Sequence, residues 1–184
     1  MSPVLEVSDL RKHFPIRKGL LRRKVGAVRA VDGVSFAIRQ GETLGLVGES
    51  GCGKTTIARA ITGVMPRNAS IPAGSIKFDG RELVGMKPRD LTKLLWREIA
   101  FVPQSAMNSL DPVYRVGTQL AEVLTVRGGF DRARADKRAA ELFEMVGLNP
   151  TRLADYPHQF SGGMRQRAAI AIALALDPKL IIAD

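Results

Sequence analysis

The chain has 184 residues, an ordinary hydrophobic fraction of 45% and a formal net charge of +10 at pH 7. Its single cysteine excludes an internal disulfide, and one cysteine with two distant histidines argues against a metal cluster of His and Cys ligands. No apolar run reaches the roughly 18 residues that a membrane-spanning helix needs, and the start "MSPVLEVSDLRK" shows no secretory signal.

Much of the positive charge lies near the start of the chain. The segment between Asp9 and Asp32 contains no acidic residue. Its basic residues are Arg11, Lys12, Arg17, Lys18, Arg22, Arg23, Lys24 and Arg29. Such a run is usually a solvated loop. The alternative is a basic lip that faces a membrane surface or a polyphosphate.

The first half of the chain predicts strands followed by one helix. The alternating segment "VLEVSDLRKHF" predicts a first strand, and "AVDGVSFAIRQGE" predicts a second strand that ends in a turn at Gln40-Gly41. The short apolar run "TLGLVG", residues 43–48, is typical of a buried parallel strand. A helix is then predicted over "TTIARAITG", ended by Gly63.

The second half combines two further strand segments with a helical stretch. "SIKFDGREL" predicts a strand and an Asp-Gly turn, and "EIAFVPQ", residues 98–104, predicts a buried strand. Helical spacing follows in "VGTQLAEVLTVRG" and in "DRARADKRAAELFEMVGL", for which Asp131 is a plausible N-cap and Gly147 a plausible stop. We therefore expect an α/β core at 1–104 and 161–184, interrupted by a helical subdomain at 105–160.

The stretch "GESGCGKTT" carries the most specific chemical signal. Its pattern Gly48-x-x-x-x-Gly53-Lys54-Thr55 lies between a predicted strand and a predicted helix, the context of a phosphate-binding loop. Glycines let backbone N–H groups approach phosphate oxygens, Lys54 reaches the outer phosphates, and the Thr55 hydroxyl ligates Mg²⁺. The expected phosphate-binding residues are Gly48, Ser50, Gly51, Cys52, Gly53, Lys54, Thr55 and Thr56. Cys52 is interpreted as a small residue and not as a nucleophile.

Two later segments offer companion sites. "LIIAD" predicts a strand that delivers Asp184 to the carboxyl edge of the sheet, where a carboxylate would hold magnesium. "FSGGMRQR" precedes an apolar helix, with Ser161 as N-cap and with Gly162 and Gly163 baring the first helical N–H groups. This segment predicts a second anion site, and its alternative is an ordinary helix start.

Together these motifs resemble the nucleotide-binding subunit of an ABC transporter over residues 4–184. "GESGCGKT" resembles its Walker A loop, "VPQ" with Gln104 its Q-loop, "FSGGMRQR" its signature and "LIIAD" the start of its Walker B strand. "AVDGVSF", "VPQSAMNSLDPVYRVGTQLAE" and "YPHQFSGGMRQR" resemble the oligopeptide, dipeptide and nickel import subfamily in particular. The signature departs from the family's usual LSGGQ at Phe160 and Met164 and keeps its serine and both glycines.

The resemblance implies a P-loop NTPase sheet core with antiparallel N-terminal strands and a helical insert, incomplete at its C-terminal end. It implies an ATP-binding, ATP-hydrolysing subunit that powers an importer, with peptides as the first expectation and with ATP and Mg²⁺ as cofactors. Lys54, Gln104 and Asp184 would be catalytic, and Thr55, Gln104 and Asp184 would serve the metal. Phe14 would stack on adenine, and the alternative is a packed hydrophobe at a strand end.

The resemblance also implies partners. Two subunits, identical or not, would sandwich two ATP molecules, with the signature serine and glycines facing the nucleotide of the other subunit. The expected location is peripheral, at the cytoplasmic face of the cell membrane, on permease subunits and indirectly on an extracytoplasmic solute-binding protein, with no nucleic acid. A groove for the permease would be lined by Met107, Leu110, Val113 and Tyr114, and the alternative for these residues is ordinary core of the insert.

The family's general base directly follows the position of Asp184, and its switch histidine comes later still. Both lie beyond the 184 residues, so we expect the chain as written to bind ATP·Mg²⁺, to hydrolyse it poorly and to be a fragment. One alternative is a nucleotide-binding module without turnover. Another is a soluble ABC ATPase acting on ribosomes or nucleic acid, which the net charge would suit. A small-molecule kinase or GTPase fits the loop but not the signature.

Overall fold

The computed structural model describes residues 2–18, 23–64, 70–105 and 108–184. They fall into two compact units, residues 1–92 and 93–184. The predicted division into a core at 1–104 and 161–184 with an insert at 105–160 stays a prediction.

The first unit is built on an antiparallel sheet in the order β2-β1-β3-β4. The strands are β1 (Leu5–Lys18), β2 (Arg23–Ile38), β3 (Ser70–Phe78) and β4 (Arg81–Glu82). Leu5 pairs with Ile38 on one side and with Phe78 on the other. Alternate apolar residues of β1 and β3 are buried, which accounts for the period-two pattern of "VLEVSDL". The predicted strands and the Asp79-Gly80 turn are confirmed.

A helix follows the loop that connects it to β2. Helix α1 (Lys54–Thr62) buries Ile57 and Ile61 and ends at Gly63, whose φ of 66° is the left-handed conformation of a glycine C-cap. The helix and its glycine stop were both predicted from "TTIARAITG".

The buried strand predicted at residues 43–48 is wrong. These residues have no strand pairing in the part of the chain that the structure describes. Their apolar side chains are exposed, and Val47 is 98% accessible. A short apolar run is buried as a strand only where neighbouring strands accept its hydrogen bonds and cover both faces. The segment is instead an open connection between β2 and α1.

The second unit combines helices with a parallel strand pair. Helix α2 (Pro88–Leu94) contains the boundary between the units, and the strands β5 (Ile99–Val102) and β6 (Leu180–Ala183) run parallel. The other helices are α3 (Val116–Glu122), which continues as a π-helical turn (Val123–Arg127), α4 (Arg132–Met145) and α5 (Gly162–Ala173). Two 3-10 turns, Pro150–Ala154 and Pro157–Gln159, connect α4 to α5.

The local signals of these helices are confirmed. The Asp131 side chain accepts a hydrogen bond from the Arg134 N–H at 2.8 Å and so caps α4. Gly147 adopts a φ of 71° just after the helix ends. Tyr156 is extended, with φ −90° and ψ 155°, because the proline after it disfavours the helical conformation.

Helices α3, α4 and α5 share one apolar core. Its fully or nearly buried members are Leu110, Val116, Leu120, Leu124, Ala135, Ala139, Leu142, Phe143, Leu148, Phe160, Ala168, Ala171 and Ala175. Their spacing of three and four residues along each helix places them on one face. This core fixes the start of α5, where Phe160 precedes the signature serine.

In the described part of the chain, no helix is both long enough and apolar enough to cross a membrane.

Replacing Leu142 by alanine tests this core. Leu142 is fully buried on α4, so Leu142→Ala should lower the free energy of unfolding by about 2–5 kcal/mol through lost burial and a cavity. The matched control is Met145→Ala on the same helix, where the side chain is 63% exposed and the change should stay within about 0.5 kcal/mol. Urea unfolding followed by circular dichroism measures both, and equal effects would contradict the assignment of the core.

Candidate functional site

The loop before α1 is shaped by an unusually close backbone approach. Gly53 is buried, with φ 105°. A Cβ on this residue would lie 2.3 Å from the Ala30 carbonyl oxygen of β2. Side chains other than hydrogen cannot occupy that space, and the positive φ is itself unfavourable for them. The fold of the first unit therefore requires glycine at the N-cap of α1.

The Lys54 side chain folds over the loop. Its Nζ donates hydrogen bonds to the carbonyl oxygens of Gly48 at 2.9 Å and Glu49 at 2.7 Å. It also lies 3.6 Å from the Sγ of Cys52, which is exposed. The ammonium group is thus held against the loop by two backbone carbonyls.

The start of α1 is suited to an anion. Its N-cap is Gly53, so no capping side chain accepts the first N–H groups, and the first turn contains no acidic residue. Helix N-termini carry partial positive charge from the aligned peptide dipoles. Lys54 adds a full charge, and Thr55 and Thr56 place hydroxyl groups in the same turn. The arrangement can bind phosphate oxygens from several directions.

Gln104 and Asp184 come together at one edge of the β5–β6 pair. Val102 and Ala183 are partners in the parallel register, and the Asp184 N–H donates to the Val102 carbonyl at 3.0 Å. Gln104 follows β5 by two residues, and both side chains belong to exposed residues. An amide oxygen and a carboxylate at the same edge are hard oxygen donors of the kind that Mg²⁺ prefers. These two side chains fit part of the ligand set of Mg²⁺.

The signature segment forms a capped helix start. Ser161 has φ −64° and ψ 166°, and its Oγ accepts a hydrogen bond from the Met164 N–H at 3.3 Å. The predicted N-cap is confirmed. A Cβ on Gly163 would meet no atom within 4 Å. Among the described residues nothing therefore requires glycine there, in contrast to Gly53.

The two departures from the usual signature have a structural reason within this chain. Phe160 is only 3% exposed and packs edge-on against Phe143, with ring centroids 6.5 Å apart. Met164 is half-buried and packs against the same core. Both substituted side chains serve the packing of the second unit, and Ser161 and the two glycines remain at its surface.

Phe14 lies on the strand next to the one that touches the loop. It pairs with Val28 of β2, two residues before Ala30, whose carbonyl meets Gly53. Its ring is half-buried, and the Lys12 Nζ lies 5.6 Å from the ring centroid. Burial lowers the pKa of the Lys12 ammonium group. The register thus puts Phe14 in the same region of the first unit as the loop, and its contact with adenine stays a prediction.

The residues expected to line a permease groove do not share one environment. Leu110 is buried in the helical core, as the alternative interpretation had it. Val113 and Tyr114 are exposed, at 72% and 56%. Met107 lies outside the described residues.

Sequence reasoning missed the residues that fix the two helix starts. The Ala30 carbonyl lies so close to Gly53 that it leaves no room for a Cβ there. Arg152 and Arg165 donate to the carbonyls of Gln159 and Phe160, at 2.9 and 2.8 Å. The arginines before and within the signature were the one available signal for these contacts. A backbone carbonyl is present in every residue, so its role cannot be predicted from the residue type.

Comparison with known proteins agrees with the geometry. The sequence profile of the ABC transporter family matches residues 31–184. The chain belongs to the ABC transporter family. Members of this family bind ATP, generally with Mg²⁺.

Curated relatives are transport ATP-binding proteins. The chain is 45% identical over 184 residues to the dipeptide transport ATP-binding protein DppD of Lactococcus lactis subsp. cremoris, covering 98% of this chain and 51% of the relative. It is 44% identical over 181 residues to the oligopeptide transport ATP-binding protein AppF of Bacillus subtilis, covering 98% and 54%. The chain thus spans about half the length of these curated relatives.

Solved structures show the same fold. The chain superposes with a TM-score of 0.82 and 27% identity on the ATP-binding cassette MJ0796, in a dimeric, post-hydrolysis state bound to ADP and Pi. The match covers 98% of this chain and 73% of the other. The predicted α/β ABC ATPase fold, with antiparallel N-terminal strands, is confirmed.

Alanine substitutions at two glycines with positive φ distinguish two causes of lost stability, the contact with the Ala30 carbonyl and the strain of the backbone conformation. Gly53→Ala should cost more than the roughly 1–3 kcal/mol of a left-handed residue, because its Cβ also meets the Ala30 carbonyl. The control is Gly41→Ala, where φ is +77° but no atom lies within 4 Å. Thermal unfolding measures stability, and fluorescence of a labelled ATP analogue measures binding. Equal destabilisation by the two changes would show that the contact does not shape the loop.

Proposed function

We propose that the chain is the ATP-binding and ATP-hydrolysing part of an ABC importer and that its cargo is peptides. The observation that carries the proposal is the loop at 48–56, where Lys54 and an uncapped helix start converge on one surface. The relatives are named for dipeptide and oligopeptide transport, and this supports the choice of cargo.

Within one chain, the loop would hold the nucleotide phosphates. Backbone N–H groups of the loop would bind phosphate oxygens, Lys54 would exchange its loop carbonyls for the outer phosphates, and Thr55 and Thr56 would add hydroxyl contacts. The remaining contributors are Gly48, Ser50, Gly51, Cys52 and Gly53. Thr55, Gln104 and Asp184 would hold Mg²⁺, which supplies neutralisation of the phosphate charge. Gln104 would also orient the attacking water.

A second subunit would complete the site. Ser161, Gly162 and Gly163 would contact the γ-phosphate of ATP bound to the partner. Two observations support this: the related cassette MJ0796 is dimeric, and the space in front of Gly163 is open. The open space at Gly163 would leave room for a phosphate of that nucleotide. Closure of the two subunits on ATP would then drive the attached permease.

The proposed setting is the cytoplasmic face of the membrane. There the protein would attach peripherally to permease subunits that receive peptides from a solute-binding protein. The exposed Val113 and Tyr114 would face the permease. The helical subdomain at 105–160 would carry this surface and would be inserted before the signature, between the core segments 1–104 and 161–184.

Replacing the loop lysine tests nucleotide binding. Lys54→Ala removes a charge-assisted contact, so binding of a fluorescent ATP analogue should weaken by roughly tenfold or more. Lys87→Ala is the matched control, because Lys87 is an exposed lysine of the same unit, and it should bind normally. Unchanged affinity in a folded Lys54→Ala protein would overturn the proposed phosphate site.

Phosphate release measured on the same proteins separates turnover from binding. Hydrolysis that depends on Lys54 supports an ATPase. Lys54-dependent binding with little or no hydrolysis is the result expected of the 184 residues alone, and it fits a nucleotide-binding module equally well.

Removing the Phe14 ring tests the adenine contact. Phe14→Ala should weaken ATP binding roughly fivefold or more while leaving the melting temperature nearly unchanged, since base stacking on an aromatic ring contributes about 1–3 kcal/mol. Binding of inorganic triphosphate, which has no base, should not change. A folded Phe14→Ala protein with normal ATP affinity would assign the ring to packing alone.

A further inference from the structure

The two carbonyl groups directly before Ser161 are each held by an arginine. Arg152 Nη2 donates to the Gln159 carbonyl at 2.9 Å, and Arg165 Nη1 donates to the Phe160 carbonyl at 2.8 Å. Arg165 lies in the first turns of α5 itself, whereas Arg152 comes from the first of the two 3-10 turns, Pro150–Ala154. Arg152 is therefore the contact that ties the approach to α5 to a separate element.

Arg152 is itself fixed on two further sides. Its Nε lies 2.9 Å from Asp155 Oδ2, an ion pair across one turn. Its guanidinium lies 5.5 Å from the centroid of the Phe160 ring. One planar group thus touches a carboxylate, an aromatic ring and a backbone carbonyl. A guanidinium can meet all three because its charge attracts the carboxylate, its planar face can lie toward a ring and its terminal N–H groups donate in fixed directions.

The segment that Arg152 holds has little freedom left. The Tyr156 N–H donates to the Gln159 side chain at 2.8 Å, and the Phe160 N–H donates to the Pro157 carbonyl at 3.2 Å. Phe160 is anchored in the core against Phe143. The backbone from 156 to 160 is consequently fixed, and it determines the direction in which Ser161 and the first N–H groups of α5 point.

We propose that Arg152 is a positioning residue for the signature: its bond to the Gln159 carbonyl sets the direction in which Ser161 and Gly163 meet the γ-phosphate held by a second copy of the chain. This inference rests on the proposed function. Anion sites at helix starts depend on geometry, and a displacement of about 1 Å is enough to lose much of the interaction. Arg152 acts without touching the nucleotide.

The test compares three variants of the full chain. Arg152→Ala removes every contact, and Arg152→Lys keeps the positive charge beside Asp155 but loses the planar fork of donors. Arg132→Ala is the matched control, because Arg132 also forms an ion pair with an aspartate, Asp136, at 2.9 Å, but on the exposed face of α4. Analytical ultracentrifugation with AMP-PNP and Mg²⁺ measures dimer formation. A fluorescent ATP analogue, added to dilute monomer, measures binding to the 48–56 loop, and thermal unfolding measures the fold.

Both Arg152 variants should require a roughly tenfold higher chain concentration for half-maximal dimer, as expected for loss of a charge-assisted hydrogen bond. Their monomer nucleotide affinity should equal that of the unsubstituted chain, as should every property of Arg132→Ala. Arg152→Lys should not restore dimer formation, because the directed hydrogen bond to the Gln159 carbonyl is required and the positive charge alone is not enough.

Two outcomes would overturn the inference. Normal dimerisation of Arg152→Ala or Arg152→Lys would show that the carbonyl bond does not position the signature. An equal loss of monomer nucleotide affinity would assign Arg152 to general stability. If the unsubstituted chain formed no nucleotide-dependent dimer, the proposed contact in trans would itself be wrong, and the role of Arg152 would fall with it. The first two outcomes leave the proposed function intact, so the two failures are distinguishable.

Discussion

The contact between Gly53 and the Ala30 carbonyl is the constraint on which the first unit's candidate site depends. It places the start of α1 directly against β2, at a distance that no residue with a Cβ could tolerate. The sheet therefore fixes where the helix begins and where its dipole points. Lys54 follows at once and folds back over the loop. A surface for anions results from backbone packing before any ligand is present.

In the second unit, the start of α5 is also fixed, but by different contacts. The start of α5 is fixed by side chains: a buried phenylalanine in the core, a serine cap, and arginines on the carbonyls just before it. Its glycine at 163 faces open space and is not required by packing. The start of α1 is thus specified by steric contact within its own unit, whereas the surface at the start of α5 has room for a ligand. The proposed site needs both kinds of helix start, because one chain would bind the nucleotide phosphates and the signature of a second chain would complete the site.

The sequence predicted most of the elements because their signals are local. Alternation identified β1, the Asp-Gly turn marked the end of β3, and Asp131 and Gly147 marked the two ends of α4. The strand at 43–48 was wrong because an apolar run does not reveal whether sheet neighbours are present to bury it. Val47 is instead exposed.

The candidate site was predictable to the same extent. The loop, Gln104, Ser161 and Asp184 were predicted because each belongs to a motif with a fixed side chain. The structure confirms the neighbouring elements α1, β5, α5 and β6, whereas the strand predicted before the loop is wrong. Ala30 and Arg152 were not found, since they act on backbone atoms of other segments. Phe160 and Met164 were visible as departures from the usual signature, but their burial depends on helices packed from elsewhere in the second unit.

Hydrogen exchange of the backbone amides tests the central claim most directly. The claim is that N–H groups of residues 48–56 and of the first turn of α1 bind nucleotide phosphates. Mass spectrometry would compare exchange with and without AMP-PNP and Mg²⁺. The account predicts strong slowing in a peptide that covers this loop, and none in the exposed segment around Gly129 between α3 and α4. Unchanged exchange in the loop under saturating nucleotide would contradict the account.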